Sequence, residues 1–396
     1  MLLFVLPSTL FGQRLSFALE QIDAQEIIDK GLTGKGVKIG IIDGGFWGAN
    51  EQASLSKHFS ENRVPYYKDF VTPNLAPYAG SKGLDDMHGT EVWQMIGSIH
   101  PETNVRFGLA TNATYYLART DHGAYEKRKE EKFLIQALDE MIKLGVQIVN
   151  ISLGYTNGYA RKSENYTPEQ MDGKSSWITR SIDSVLAVQD VLIIVSAGND
   201  GNGRWGTLSA PADSENVLTV GATKFGRSEE MNYSAKGSQL LAYAKPDISC
   251  FSTSGTSFSA PVITGLAACI LQYDPTLTAS EIKNLLIQAS DFYPYPNNHI
   301  GHGVPSGKKL LKLLEKQEMA LVPTLKPQKD FVRIPVEQTE NKKNRVIIYH
   351  KNQWQVLKKE LFRTDKSVFR IKRFSECQQS TVLLNNKIIE VVWKKS

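Results

Sequence analysis

Four polar side chains stand in short segments that together could perform nucleophilic catalysis. Asp43 and Asn199 each follow an apolar run, His88 is followed by Gly-Thr, and Ser257 lies in the stretch Gly-Thr-Ser-Phe-Ser-Ala-Pro. A serine hydroxyl becomes a good nucleophile only when a base such as histidine takes its proton. A buried carboxylate orients such a histidine, and an asparagine amide can donate to the oxyanion that forms. Each segment alone is more typical of a turn or a helix start, but the four together predict acyl transfer.

The order Asp, His, Ser along the chain resembles that of the subtilisin-like serine peptidases, or subtilases. The resemblance covers roughly residues 20–315, and its most specific segment, 255–261, is close to the nucleophile signature of that family. Residues 88–90 and 196–199 are similar to the family's histidine and oxyanion segments. The sequence Lys-Pro-Asp-Ile at 245–248 is similar to a further family segment.

The resemblance implies a role for each of these side chains. Ser257 would form the acyl-enzyme, His88 would be the general base, Asp43 would orient the imidazole, and Asn199 would donate to the oxyanion. The expected function is a serine endopeptidase that hydrolyses peptide bonds of proteins. An alternative is a catalytically silent subtilase-like protein that binds peptides. A nucleotide-binding α/β protein is disfavoured, because the glycines at 34–36 precede the first strand instead of following it.

A substrate edge and a first specificity pocket are also implied by the resemblance. An extended peptide would add as a strand to an exposed backbone edge, and small residues would leave room for a bulky apolar side chain. The long segment 155–175 follows this edge and is either a gate or an ordinary surface loop that carries tyrosines. The residues assigned to the edge and the pocket are Ser152, Leu153, Gly154, Ala197, Gly198 and Ser209.

Apolar runs alternate with helical patterns over residues 13–318, the predicted peptidase domain. This alternation predicts an α/β fold with three layers, in which helices cover both faces of a mainly parallel central sheet. Functional groups in such sheets collect at the carboxyl ends of the strands, where Asp43, Ser152 and Asn199 stand. The predicted strands are 37–42, 114–117, 146–151, 191–195 and 217–220, and the predicted helices are 91–99, 129–144, 176–188, 257–272 and 279–288.

The pattern changes after residue 318. Residues 319–329 read as a linker, and 330–396 as a small β-rich module with short strands predicted at 346–349, 368–371, 382–384 and 388–393. Residues 331–396 hold 15 Lys and Arg against 6 Asp and Glu, a net of +9 in a chain of net +5, so the remainder carries −4. A solvated lysine-rich surface is the favoured interpretation over a nucleic-acid patch. Binding to anionic polymers or to an intramolecular partner is left open.

Residues 1–12 resemble the end of a secretory signal peptide, the alternative being an ordinary N-terminal strand. The resemblance to a signal peptide predicts a secreted or cell-envelope, bacterial protein. The chain has three cysteines and no CxxC pair, which excludes a structural zinc site of the usual spacing. Because no run of 18 apolar residues occurs, no transmembrane helix is expected. The implied partners are protein or peptide substrates, with no nucleic acid. No cofactor is required, although subtilases often bind structural calcium, for which Asp172-Gly173 is a weak candidate.

Overall fold

A seven-stranded parallel sheet forms the centre of the region that precedes residue 315. The structure, a computed structural model, describes residues 13–80, 84–122, 127–226, 228–337, 344–385 and 387–394. The strands are β1 (Arg14–Leu15), β2 (Lys38–Asp43), β3 (Tyr66–Asp69), β4 (Val105–Arg106), β5 (Thr114–Arg119), β6 (Ile148–Ile151), β7 (Leu192–Ser196), β8 (Leu218–Thr223), β9 (Ile248–Phe251), β10 (Thr324–Leu325), β11 (Phe331–Pro335), β12 (Asn344–Asn352), β13 (Gln355–Thr364), β14 (Val368–Lys372), β15 (Gln379–Leu384) and β16 (Lys387–Val392). The α-helices are α1 (Phe17–Gln21), α2 (Ala24–Asp29), α3 (Ser56–Ser60), α4 (Leu84–Gly97), α5 (Arg128–Lys143), α6 (Trp177–Leu186), α7 (Ala260–Tyr273), α8 (Ala279–Gln288) and α9 (Gly307–Leu314).

The central sheet has the order β3-β5-β2-β6-β7-β8-β9, and each pair of neighbours is parallel. One face packs against α5 and α6, with Leu138 and Ile182 in the core. The other face packs against α4 and α7, with Trp93 and Ile263 in a second core. Parallel strands joined by helical crossovers are buried on both faces, which is why their residues are almost all apolar. This arrangement confirms the predicted three-layer α/β fold.

Each of the five predicted strands coincides with a strand of this sheet. The two edge strands, β3 and β9, are only four residues long and lack the apolar run that would have marked them. The helix predicted at 91–99 begins earlier, at Leu84, so His88 lies in the second turn and not at the helix start. The helix predicted from Ser257 begins at Ala260, after a short 3₁₀ turn over Thr256–Phe258.

Two further sheets form the C-terminal module (residues 330–396) and the strand that precedes it. A five-stranded sheet has the order β10-β16-β15-β12-β13, and β11 pairs with β14 in a two-stranded sheet. All four strands predicted here occur, as β12, β14, β15 and β16. The long edge strand β13 was not predicted, because its Lys, Glu and Arg residues do not alternate with apolar ones. The strand β10 lies within the predicted linker and pairs with β16.

One face of the five-stranded sheet packs within the module, and the other face packs on the peptidase region. Ile347, Tyr349 and Leu383 form a core with Phe292 and Ile300. The module is therefore docked on the peptidase region by buried apolar contacts.

Residues Thr256–Tyr273 are long and apolar enough to cross a membrane, and 83% of them are buried inside the protein. The three cysteines, Cys250, Cys269 and Cys377, are buried free thiols. The predicted signal segment 1–12 lies outside the described residues.

Candidate active site

Asp43 and His88 meet at the carboxyl end of the central sheet. Asp43 is the last residue of β2, and its Oδ1 lies 2.6 Å from Nδ1 of His88 on α4. The same oxygen accepts a hydrogen bond from the Gly44 N–H at 2.7 Å. The Asp43 side chain is 0% exposed and that of His88 is 26% exposed. Gly89 allows this approach, because a Cβ there would lie 2.5 Å from the carbonyl oxygen of Gly45. Nε2 of His88 is thus the nitrogen that can exchange a proton with a neighbouring hydroxyl.

Opposing effects act on the pKa of His88. Burial lowers this pKa, whereas the charge of Asp43 and its hydrogen bond raise it, and the carboxylates of Glu91 and Asp121 act in the same direction. Together the effects of the carboxylates outweigh that of burial, and the pKa of His88 is raised to about 9. The protonated form of His88 is therefore more stable here than that of a histidine in water.

Ser257 lies in the 3₁₀ turn that precedes α7. Gly255 immediately precedes this turn, and its φ of +137° is a conformation that residues with a side chain rarely adopt. The Ser257 hydroxyl donates to the carbonyl oxygen of Ser152 at 3.2 Å, and the Ser152 hydroxyl donates to the carbonyl oxygen of Ser257 at 3.0 Å. The ring of Phe258 lies 5.6 Å from the His88 ring, so the turn faces α4. Because a serine has one hydroxyl proton, rotation about the Cβ–Oγ bond has to turn that proton away from Ser152 before His88 can accept it.

The side chain of Asn199 is held by Thr256, the neighbour of Ser257. Oδ1 of Asn199 accepts from the backbone N–H of Thr256 at 2.8 Å and from its hydroxyl at 3.0 Å. The Thr256 Oγ1 in turn accepts from the N–H of Gly198 at 3.0 Å. An amide whose oxygen is used in this way has its N–H₂ group left to donate. Thr256 lies within the nucleophile segment, but the sequence carries no signal that marks it as the partner of Asn199.

A cavity of about 320 Å³ adjoins Ser257. Of the predicted substrate residues, Ser152, Gly154, Gly198 and Ser209 line it, but Leu153 and Ala197 do not. Ala197 is buried in the core that α5 and α6 form with the sheet, because successive residues of an extended segment point to opposite sides. Leu153 packs against the same core. The remaining lining residues are Thr156, Ser196, Asn199, Asp200, Trp205 and Thr207.

The lining of this cavity is more polar than the sequence analysis expected, since most of these side chains carry hydroxyl, amide or carboxylate groups. Ser209 lies between two glycines: a Cβ on Gly154 would be 2.1 Å from its Oγ, and one on Gly198 would be 2.9 Å away. Any larger residue at position 154 or 198 would therefore collide with the side chain of Ser209. Residues 152–154 follow β6, which ends at Ile151, so the predicted edge is an extension beyond the strand.

The segment 155–175 is fastened to α5 by a buried carboxylate. Tyr159 and Tyr166 both donate hydroxyl hydrogen bonds to Glu131, which is 0% exposed. Arg128 pairs with Glu131 at 2.6 Å and lies over both tyrosine rings. These contacts hold the middle of the segment against α5 in this structure, which disfavours a freely moving gate.

Arg119, at the end of β5, is a further residue that the sequence analysis missed. Its guanidinium donates to the Gly44 carbonyl oxygen at 2.9 Å and pairs with Asp86 at 2.8 Å and with Asp69 at 3.2 Å. It joins the turn after Asp43 to the helix that carries His88. The only sequence signal was an arginine directly after an apolar run, which is too common to be specific.

Metal ligands are not gathered at this site. Within the described ranges, no group of three or more His, Cys, Asp or Glu side chains could hold a metal ion. Both carboxylate oxygens of Asp172 accept hydrogen bonds from Lys174 or Ser175. Structural calcium stays a prediction from the family resemblance.

Known proteins resemble this chain in sequence and in fold. A model of the subtilase family matches residues 34–303. Subtilisin DY of Bacillus licheniformis is 26% identical over 289 residues, which are 69% of this chain and 91% of that protein. Subtilisin E of Bacillus subtilis (strain 168) is 24% identical over 317 residues, 76% of this chain and 71% of that protein.

Two solved structures have a similar fold. The CspB protease of Clostridium perfringens matches with a TM-score of 0.60 and 16% identity, over 75% of this chain and 98% of that one. MycP1 with its N-terminal propeptide removed matches with a TM-score of 0.54 and 23% identity, over 74% of this chain and 96% of that one. Because the family model covers more than half of the sequence, the chain belongs to the subtilase family and is a subtilisin-like serine peptidase.

Proposed function

We propose that this peptidase is an endopeptidase that cleaves proteins through an acyl-enzyme on Ser257. The observation that carries the proposal is the hydrogen bond of 2.6 Å between buried Asp43 and His88, next to the turn that presents Ser257. In the first step Ser257 Oγ attacks the carbonyl carbon, and its proton moves to Nε2 of His88. Nδ1–H of His88 stays bonded to Asp43, which stabilises the imidazolium.

The negative charge that develops on the carbonyl oxygen needs donors. Asn199 Nδ2 and the backbone N–H of Ser257 supply them, with Thr256 holding the amide of Asn199 in place. When the intermediate collapses, His88 gives its proton to the leaving amine. Water then attacks the acyl-enzyme by the same proton route and regenerates Ser257.

The test is covalent labelling of the full chain with a fluorescent fluorophosphonate, followed by peptide mapping of the adduct. An activated serine is phosphonylated, whereas ordinary surface serines are not. The expected result is a single adduct on Ser257. A folded protein that takes no label would favour the alternative, a silent subtilase-like protein that binds peptides.

Replacing Asn199 by alanine is expected to lower kcat by about 10²–10³-fold, the size of the effect found for such a donor in subtilisin. KM should change little, because the oxyanion exists only in the transition state. Steady-state cleavage of a peptide substrate measures both constants. Asn202→Ala, an exposed asparagine three residues away, is the control and should behave as wild type. A rise in KM matching the fall in kcat would show that Asn199 acts in ground-state binding instead.

The activity should rise with pH up to about 9, since only the neutral imidazole of His88 can accept the serine proton. The Glu91→Gln variant removes a negative charge that favours the imidazolium, so its acid limb should move to lower pH. The shift should be a fraction of a unit, because Glu91 is partly exposed to solvent. The measurement is kcat/KM from pH 5 to 10 for both proteins. A wild-type limb near 4–5 would mean that a carboxylate, and not His88, is the titrating base.

We also propose a secreted or cell-envelope location. Two relatives support it by their names: the minor extracellular protease Epr of Bacillus subtilis, 26% identical, and MycP1, described as an essential component of the type VII (ESX-1) secretion system.

A further inference from the structure

The C-terminal module contacts the peptidase region through a cluster of buried charges. Glu229 and Glu230 follow β8 in the peptidase region and are 4% and 6% exposed. Arg345 of β12 pairs with Glu229 at 2.5 Å, and Lys359 of β13 pairs with Glu230 at 2.9 Å. The hydroxyl of Tyr349 donates to the second oxygen of Glu230 at 2.7 Å. The basic residues of the module thus neutralise acidic groups of the peptidase region.

Two peptidase side chains complete the cluster. His299 lies 3.0 Å from Glu230, and Lys224 pairs with Glu229 at 2.9 Å. Carboxylates this deeply buried are stable as anions only when they are paired and hydrogen-bonded. In agreement, the pKa of Glu230 is lowered: burial raises it, but the bonds and charges of His299 and Lys359 outweigh burial.

The segment that begins at this cluster forms hydrogen bonds with the loop that holds Asn199. We name residues 229–237 the bridging segment and residues 198–201 the oxyanion loop. The N–H of Gly201 donates to the carbonyl oxygen of Tyr233 at 2.9 Å, and the N–H of Ala235 donates to that of Gly198 at 3.0 Å. Both ends of the oxyanion loop are therefore bonded to the bridging segment.

The bridging segment also contacts the chain just before the 3₁₀ turn that carries Ser257. The hydroxyl of Tyr233 donates to the carbonyl oxygen of Ser252 at 2.7 Å, five residues before Ser257. Ser234 is fully buried, and its hydroxyl accepts from the N–H of Ala222 on β8 at 2.9 Å. The middle of the bridging segment is thus bonded to the central sheet on one side and to the oxyanion loop and the chain before Ser257 on the other.

The far end of the bridging segment is held by the module as well. The N–H of Gly237 donates to the carbonyl oxygen of Asn298 at 2.8 Å. The side-chain amide of Asn298 donates to the carbonyl oxygen of Gly237 at 3.1 Å. Asn298 in turn donates its N–H to the carbonyl oxygen of Trp354 at 2.8 Å and accepts from the N–H of Val356 at 3.0 Å. Trp354 lies in the turn between β12 and β13, and Val356 is the second residue of β13. The module therefore fixes both ends of the nine residues that support the oxyanion loop.

We propose that the C-terminal module is a positioning element of this peptidase, which holds the bridging segment so that the oxyanion loop keeps Asn199 aimed at the developing charge. The proposal rests on the proposed function, in which Asn199 is the oxyanion donor. Its physical basis is continuous hydrogen bonding from the module to the oxyanion loop. Donors stabilise the charge of a transition state best when they are fixed in place before the reaction. It also gives two of the basic residues of 331–396, Arg345 and Lys359, an intramolecular partner.

The test compares two lysines that are neighbours on β13 in the full-length chain. Lys359→Met removes the cation that meets Glu230, and Lys358→Met is the matched control, because Lys358 pairs only within the module, with Glu360 at 2.7 Å. Lys359→Met should lower kcat about tenfold, within the range of coupling through packed networks, while KM changes less than about twofold. Lys358→Met should match wild type, and Lys359→Arg should restore most of kcat.

A double-mutant cycle separates positioning from a general loss of structure. When Asn199 is already alanine, the loop has no side-chain donor left to aim, so Lys359→Met should then cost less than about threefold in kcat. An equal loss in both backgrounds, or an unchanged kcat in folded Lys359→Met, would overturn the proposal. If Lys359→Met does not fold, Tyr349→Phe tests the same contact without removing a charge, with an expected loss of about threefold. Wild-type protein that takes no fluorophosphonate label would instead refute the proposed function itself.

Discussion

The Ser257→Ala variant is expected to fold as wild type and to lose about 10⁶-fold in kcat, the loss found for the nucleophile of subtilisin. Alanine keeps the backbone N–H proposed to face the oxyanion but removes the hydroxyl proposed to attack the substrate. The hydrogen bond from the hydroxyl to Ser152, at 3.2 Å, is also removed, but its loss costs only about 1 kcal/mol of folding stability. The measurement is single-turnover cleavage of a peptide, together with the thermal unfolding midpoint.

The control for this variant is Ser254→Ala, an exposed serine three residues upstream. It should keep activity within about twofold, because surface substitutions away from the chemistry have small effects. Residual cleavage by Ser257→Ala that stays above about one per cent of wild type would mean that another residue supplies the nucleophile.

The Asp43→Asn variant is expected to lower kcat by about 10⁴-fold, the loss typical of neutralising the triad carboxylate. The amide retains the shape of the side chain but not the charge that stabilises the imidazolium of His88. Burial lowers the pKa of His88, and in wild type the charge of Asp43 is the leading effect that reverses this. Without that charge, the pKa of His88 falls, so the acid limb of the residual activity should move from about 9 to lower pH.

The rate of fluorophosphonate labelling against pH measures this limb even when turnover is slow. Asp139→Asn, an exposed aspartate on α5, controls for a change of net charge and should leave both rate and limb unchanged. An Asp43→Asn variant with a large loss of rate but an unmoved limb would show that Asp43 does not act through the charge of His88.

Local sequence was sufficient for most of the peptidase fold. The apolar runs that became β2, β5, β6, β7 and β8 are buried on both faces, so their composition alone marks them. The capping box of Thr278 and Glu281 likewise defines the start of α8 within four residues. Elements without a local signal were not predicted: β13 is stabilised by pairing with β12 along its length and not by its own alternation.

The residues of the candidate site could also be named from the sequence, because each lies in a short segment with its own turn chemistry. Their mutual geometry could not be predicted, since the contacts join residues far apart: Asp43 to His88, Ser152 to Ser257, and Asn199 to Thr256. For the same reason Thr256 and Arg119 have roles that only the folded chain reveals. Of the proposed pocket residues, Ala197 points into the core because the alternation of an extended segment places it on the side opposite Ser196 and Gly198.

By itself the sequence determined that the chain is a subtilase with an α/β core and a basic, β-rich C-terminal end, because family motifs, apolar periodicity and charge are properties of residues close together along the chain. The tertiary structure alone decided what the basic end contacts. Glu229 and Glu230 lie more than a hundred residues from Arg345 and Lys359, and nothing in either segment specifies the other. Burial of these carboxylates on folding makes each pairing necessary, since an unpaired charge in the interior would cost several kcal/mol.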